Sequence, residues 1–464
     1  MSLQQLASTV NGHLVGENLS FSAISSDTRS LKEGDLFVAL QGENYDANSF
    51  VASAREKGAV AALVSADVTV DMPYVKVEDT LQALTTLATA ERQRADIPLV
   101  AITGSNGKTS VKEMLASILS QSSRVLATEG NLNNQIGVPL TLLKLSEDHQ
   151  LAVIEMGASH LGDIAHLCTI AKPTVAILNN VAAAHLEGFG DLDGVATAKG
   201  EIISGLSESG TAVLNKEEPW FDQWLALANG RSVMSFGWSD SADVWADISS
   251  VKTGLVDGQF KTSFVLNYQQ QSVVIHLNLI GQHNALNALA ASCAALTLGV
   301  SLESIATGLA KLKAVKGRMQ SLNGLAGSVV INDCYNANPK SFEAAMSSLK
   351  NIDRPVWLAL GDFAELGVNS QQIHQQLGEK IANSQVENFF AVGEKMQLAV
   401  AAFNKVVGSN ERRAQHFASK EEMALALRQA LHSNVVVLVK GSRSQGLESV
   451  VEKIIIKKEG SACC

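Results

Sequence analysis

Apolar residues in this chain gather in short, nearly unbroken runs bounded by glycine, proline, asparagine or aspartate, and between those runs they recur at helical spacing. Such a pattern belongs to strands buried on both faces of a parallel sheet, with amphipathic helices packed over them. Near the N-terminus, runs at 34–40 and 59–64 predict strands, and 48–57 and 80–94 predict helices. Further strands are predicted at 98–103, 124–128, 151–156 and 174–179. A helix from Val111 onward puts Met114, Leu115 and Ile118 on one face. Between 230 and 280 the runs give way to alternation, as in F-V-L-N-Y at 264–268 and V-V-I-H-L-N-L at 273–279. That predicts half-exposed antiparallel strands appended to the sheet. An alanine-rich helix opens after Gly281. The strand–loop–helix rhythm restarts near 313, with strands at 328–333, 355–360, 388–392 and 435–440. The expected architecture is α/β in three domains: a small N-terminal α/β domain (1–96), a central, mostly parallel sheet with added antiparallel strands (97–312) and a C-terminal Rossmann-like domain (313–464). The last carries no G-x-G-x-x-G and is not read as an NAD site.

The strongest chemical signal lies where the strand at 98–103 meets its helix. G-S-N-G-K-T-S at 104–110 turns the chain there. Backbone N–H groups across Gly104, Ser105, Asn106 and Gly107, with the helix dipole, favour phosphate; Lys108 adds a point charge, and Thr109, beside Ser110, offers a hydroxyl for Mg²⁺. The common G-x-x-x-x-G-K-[ST] loop needs glycine where this chain has Ile102, so the shorter loop points to a smaller set of ATP users. The bland alternative is a glycine turn with a solvated lysine.

Other candidates sit at strand ends, where ligands bind in open α/β sheets. Glu155 closes one strand and His185 follows another, and together they suggest metal ligation. Asn133 lies in a polar loop that grips a ligand or is simply turn chemistry. Asn284 and Asn287, three apart on one helix face, suit an adenine edge, with Asn284 as a plain N-cap the rival reading. Ser26, Thr28 and Arg29 lie close together in a loop that fits a phosphate or sugar, or is an ordinary polar turn. Lys199, on a small-residue helical segment, reads by default as a surface lysine.

Composition narrows the partners. The 464 residues fit about three domains. A formal net charge of −10 argues against a general binder of nucleic acid or of anionic membranes, so any anionic ligand must be held by local features. The first thirty residues lack a basic start followed by an apolar core, and no signal peptide is expected. The stretch 285–300 is interrupted by Asn287 and Ser292 and is too short to span a bilayer. Cys168, Cys293 and Cys334 lie in or beside apolar segments, as reduced packing residues in the cytoplasm would; Cys463 and Cys464 close a polar tail.

Taken together, the motifs resemble those of the ATP-dependent Mur ligases of bacterial cell-wall synthesis, over essentially the whole chain. T-G-S-N-G-K-T-S at 103–110, I-E-M-G around Glu155, N-N-V-A-A-A-H at 179–185, A-K-G-E-I at 198–202, G-Q-H-N-A-L-N-A at 281–288 and G-R-M at 317–319 carry the resemblance. D-T-R-S-L-K-E-G-D-L-F-V-A-L-Q-G at 27–42, G-N-L-N-N-Q-I-G-V-P at 130–139 and Y-N-A-N-P at 335–339 resemble the branch that extends a UDP-muramoyl-tripeptide. One departure is Cys334 after Asp333, where the family commonly has two acidic residues. The resemblance implies ligation of D-alanyl-D-alanine to UDP-N-acetylmuramoyl-tripeptide through an acyl phosphate, with ATP and two Mg²⁺ ions. It implies that Lys108 and the loop hold the phosphates and that Thr109 and Glu155 hold one Mg²⁺. His185 would hold a second, supported by a carbamylated Lys199. Asn284 and Asn287 would contact adenine, and Arg318 and Asp333 would close over the nucleotide. Ser26, Thr28 and Arg29 would take the UDP group, Asn133 would contact substrate, and the dipeptide would lie near Asn336 and Asn338. A cytoplasmic monomer without membrane insertion is implied. The alternatives are another ligase of the superfamily, adding diaminopimelate or glutamate to folate, or a P-loop NTPase switch without a second substrate.

Overall fold

The computed structural model describes residues 1–42, 45–183, 186–256, 259–350, 352–408 and 412–456. Three sheets organise them. The first runs His13–Val15, Tyr74–Lys76, Ala61–Val64, Leu36–Val38, Ile24–Ser25; its first pair is antiparallel and the rest are parallel. The helix Thr80–Ala95 carries the chain onward. Arg92 ties it to the central sheet, its Nε donating to Ala171 O (2.7 Å) and its Nη2 to Ile97 O (2.8 Å).

In the central sheet Val125–Ala127, Leu151–Glu155, Leu99–Thr103, Val175–Leu178, Thr211–Asn215, Ser232–Gly237 and Val244–Trp245 run parallel in that order. Gln259–Tyr268 continues it antiparallel, between Val244–Trp245 and Lys252–Val256 on one edge and Gln271–Leu277 on the other. The alternation at 230–280 therefore holds for the appended strands only. Ser232–Gly237 is parallel, because its register is set by Thr211–Asn215 beside it and its last three residues are buried.

Side chains of successive residues pack on opposite faces, as a pleated strand requires. Val100, Ile102, Val153 and Ile177 join one core cluster; Leu99, Ala101, Ile154 and Leu178 join the other. The helix after the glycine turn begins at Lys108, three residues before the expected start, since Gly107 at φ 80° serves as its N-cap. It buries Val111, Met114, Leu115, Ile118 and Leu119 almost completely, each worth roughly 1.5–3 kcal/mol relative to exposure. Its partners are the alanine-rich helix Gln282–Thr297 and the helix Leu302–Lys311. Small side chains permit close approach there: a Cβ on Gly308 would lie 2.5 Å from Ile118 Cα.

The third sheet runs Gln320–Asn323, Val329–Asp333, Val436–Lys440, Val356–Gly361, Val386–Val392, Arg413–Phe417, parallel except for its first pair. Again both faces are buried, Ile331, Leu358 and Leu438 on one and Val330, Ala359 and Val437 on the other. The carboxyl end of this sheet meets that of the central sheet through direct hydrogen bonds. No helix among the described residues is long and apolar enough to cross a membrane.

Candidate functional site

The site grows from strand ends. Leu99–Thr103 lies between Leu151–Glu155 and Val175–Leu178 in parallel register, so the loops following all three open on one edge. Glycine is required at 107: besides its positive φ, a Cβ would come 2.4 Å from Asn287 Oδ1 and 2.6 Å from Asn179 Nδ2. The neighbouring strand end grips the turn. Ser105 N donates to Asn180 O (2.9 Å), Asn106 N donates to Asn180 Oδ1 (2.8 Å), and the amides of Asn179 and Asn180 both donate to Asn106 O. Lys108 Nζ donates back to Gly104 O at 2.6 Å, and burial pushes its pKa down against the pull of Glu155.

Thr109 is the meeting point of three elements. Its hydroxyl donates to Glu155 Oε2 (2.9 Å) and accepts from Arg318 Nη2 (2.9 Å), while Asn133 Nδ2 donates to Glu155 Oε1 (2.8 Å). Ser110 is buried beside it. Thr109 and Glu155 offer hard oxygen donors, and Mg²⁺ commonly takes only one or two protein ligands beside substrate phosphates, so the donor chemistry fits that ion. Among the described residues no cluster of three His, Cys, Asp or Glu could hold a metal. His185 lies outside the described residues.

Asp333 is engaged on both oxygens. Oδ1 accepts from Met319 N (3.1 Å) and Oδ2 from the buried Lys440 Nζ (2.6 Å), which also reaches Asn336 O (3.0 Å). Asp333 thus fixes the segment bearing Arg318. Asn338 caps the helix Pro339–Leu349 by accepting from Ser341 N (2.8 Å), and its Nδ2 donates across to Asn106 Oδ1 (2.9 Å). Asn336 is exposed, its Oδ1 accepting from Ala337 N. Next to it Lys340 Nζ donates to Val181 O (2.7 Å) and lies 3.6 Å from Glu218 Oε1.

Asn284 and Asn287 are buried in the wall of this site. Gly281, not Asn284, is the N-cap of their helix; Asn284 Nδ2 donates to Ile280 O (2.9 Å), and Asn287 Oδ1 accepts from Asn179 Nδ2 (2.9 Å). Both line a cavity of about 450 Å³ with the glycine turn, Glu155, Arg318 and Asp333. A second cavity, about 540 Å³, runs from Ser105 and Lys108 past Asn133 to His160, His166 and Lys199. Lys199 is 3% exposed, so the default surface-lysine reading is corrected. Its helix turns it inward, where burial first and Lys108 second push its pKa down to about 7.

Ser26, Thr28 and Arg29 follow the strand Ile24–Ser25, away from these contacts in the hydrogen-bond pattern. The Arg29 fork is already engaged: Nε and Nη2 both donate to Asp27, whose carboxyl is held down at about 2 chiefly by that bond.

Several lining residues escaped the sequence reasoning. Asn179 and Asn180 had a signal, two amides ending a strand beside the phosphate loop. Lys440 had a weaker one, a lone cation closing an apolar strand. Tyr335 opens the Y-N-A-N-P motif but gained no role of its own from it. Glu218 and Lys340 had no signal as site residues, since Val181, which both contact, lies 37 and 159 positions from them.

Comparison with known proteins agrees along the whole chain. Residues 20–122 match the Mur ligase family catalytic domain, 102–295 the Mur ligase middle domain and 317–443 the Mur ligase glutamate ligase domain. The chain is 41% identical to the UDP-N-acetylmuramoyl-tripeptide–D-alanyl-D-alanine ligase of Escherichia coli (strain K12), over 100% of this chain and 99% of that one. Among solved structures it is similar to MurF from Acinetobacter baumannii, with 34% identity, a TM-score of 0.85 and 97% of each chain covered. It is also similar to a MurF ligase from Thermotoga maritima in complex with ADP, with 29% identity, a TM-score of 0.79 and coverage of 94% of this chain and 98% of that one. The chain belongs to the Mur ligase family.

Proposed function

We propose that this enzyme joins D-alanyl-D-alanine to UDP-N-acetylmuramoyl-tripeptide at the expense of ATP. The observation that carries the reading is full-length similarity to a ligase of that name, combined with a phosphate loop faced by a second domain across one cavity. The terminal carboxylate of the tripeptide attacks the γ-phosphorus of ATP, ADP departs, and an acyl phosphate results. The dipeptide amine then attacks the acyl carbon, inorganic phosphate leaves, and the amine proton is lost as the amide forms.

Phosphoryl transfer asks a protein mainly for alignment and charge neutralisation. Gly104, Ser105, Asn106, Gly107 and Ser110 present the loop to the phosphates, and Lys108 and Arg318 bring positive charge to them. Thr109 and Glu155 would hold Mg²⁺, which neutralises phosphate charge when bound; His185 is our candidate for a second ion. Asn284 and Asn287 shape the adenine end, and Asp333 fixes Arg318. Lys199, with its pKa pushed down to about 7, has far more free base near neutrality than an ordinary lysine and is suited to react with CO₂ and become a carbamate. Ser26, Thr28 and Arg29 are our candidates for the UDP group. Asn133, beside Glu155, faces the acceptor carboxylate, and Asn336 and Asn338 face the dipeptide. We place the domain boundaries near 96 and 312, and a cytoplasmic monomer suffices because one chain surrounds the site.

The test is phosphate release from ATP and Mg²⁺ with each substrate alone and with both. Release only with both, matched by a UDP-muramoyl-pentapeptide mass, is expected. Release with neither would overturn the reading in favour of a nucleotide switch, and release with folate and glutamate would reassign the substrates.

A further inference from the structure

We infer that Tyr335 is a positioning residue whose ring fixes the Arg318 guanidinium over the phosphate loop. The inference rests on the nucleotide reading of that loop, and extends it to a side chain that reasoning from sequence left unassigned.

Arg318 is held by few hydrogen bonds. Nη2 donates to Thr109 Oγ1 at 2.9 Å, while Nε is buried with no hydrogen-bond partner among the described residues. A single bond at one corner leaves a planar fork free to swing. The Tyr335 ring supplies the missing constraint: the guanidinium carbon lies 4.0 Å from its centroid, within the range of cation–π attraction. A contact through the flat face leaves the N–H groups free for acceptors, and Arg318 and Tyr335 line one cavity with Thr109 and Glu155. The buried Nε–H has no acceptor, and on the nucleotide reading of the adjoining loop a phosphate oxygen is the group that would bring acceptors to this guanidinium.

The backbone is arranged to keep ring and guanidinium in register. Tyr335 N donates to Gly317 O at 3.1 Å, and Met319 N donates to Asp333 Oδ1 at 3.1 Å, so Arg318 is pinned on both sides. Gly317 has φ 75° and its Cα faces Tyr335; a Cβ would sit 3.3 Å from Tyr335 N. Met319 also holds a positive φ, 47°, in the same turn. A second cation, Arg443, shares the ring at the outer limit of the cation–π range. Arg443 lies farther off, at 5.7 Å, and its Nη1 donates to Glu448.

The experiment measures binding of a non-hydrolysable ATP analogue with Mg²⁺ by calorimetry, alongside KM and kcat for ATP, in the full chain. Tyr335→Phe keeps the π face and is expected within twofold of wild type. Tyr335→Leu is expected to weaken binding roughly tenfold, the size of a partly desolvated cation–π contact. In an Arg318→Ala background Tyr335→Leu is expected to change nothing further. A purely structural tyrosine would behave differently, since its loss would add to that of Arg318. Wild-type binding by Tyr335→Leu, equal loss in the Phe variant, or a loss that persists without Arg318 would each overturn the inference. If the Leu variant does not fold, pentafluorophenylalanine at 335 keeps the ring's shape and reverses its quadrupole. Weakened binding is then expected, and binding equal to the Phe variant overturns the inference. Neither acceptor substrate enters the binding assay, so a failure of the ligase reading is told apart from a failure of this one.

Discussion

At the scale of single residues, burial changes what two lysines can do. Lys108 and Lys199 are both held below the ordinary lysine pKa by desolvation, and Lys108 adds repulsion to Lys199. On the proposed reading Lys108 serves the loop as a charge, so Lys108→Ala should abolish phosphate release yet leave the circular dichroism spectrum unchanged. Full turnover in that variant would remove the phosphate role. Lys199 gives a pH prediction. Between about pH 7 and the usual lysine range the unfolded chain keeps a proton that the folded chain has shed, so folding stability rises with pH across that window. Lys199→Met should flatten the rise. Urea unfolding at pH 7 and pH 10, in bicarbonate-free buffer, checks it; parallel pH trends in the two proteins would contradict it. Lys199→Ala should lose activity that short-chain carboxylates partly restore, and an unimpaired variant would end the carbamate reading.

At the scale of elements, the phosphate loop depends on how its helix is seated. The helix Lys108–Leu119 lies against Leu302–Lys311 so closely that Ser117 Oγ donates to Gly308 O at 2.7 Å. Any side chain on Gly308 meets backbone rather than a movable tip. Gly308→Ala is expected to cost about 1–3 kcal/mol through overpacking, outweighing the helix propensity gained. A lower urea midpoint with an unchanged slope would show it, and a raised midpoint would show that the helices can part. The helix register was legible from Met114, Leu115 and Ile118 alone. The close approach was not, because it depends on two segments some 190 residues apart.

At the scale of the whole molecule, the third domain meets the central one through an apolar contact, with Phe260 and Ile280 packed into its core. It also meets it through polar bridges that include Arg318 to Thr109, Asn338 to Asn106, and Lys340 to Val181 and Glu218. Burial raises the Glu218 pKa, opposed by Lys340 and by the Val181 N–H. Lys340→Met removes the cation facing that carboxylate and should loosen the contact. A several-fold higher KM for ATP and a larger radius of gyration by solution scattering are expected, with little change in the unfolding midpoint. An unchanged radius of gyration and KM would show that the bridge carries no closing force.

The chain's own order of residues determined the local structure. Apolar runs specified strands buried on both faces, the G-S-N-G-K-T-S sequence specified a glycine turn opening a helix, and the family resemblance rested on short contiguous motifs. These features are short-range, and short-range physics fixes them: pleat alternation, glycine φ, and the free N–H groups of a helix start. What the tertiary structure alone decided is long-range. It buried Lys199, which composition leaves at the surface, and it spent the Arg29 fork on Asp27. It also gave Asp333 to Met319 and Lys440, and laid Tyr335 under Arg318. Each of these depends on which partner arrives in space, and a side chain's charge, free valence and pKa follow from that partner and not from its neighbours along the chain.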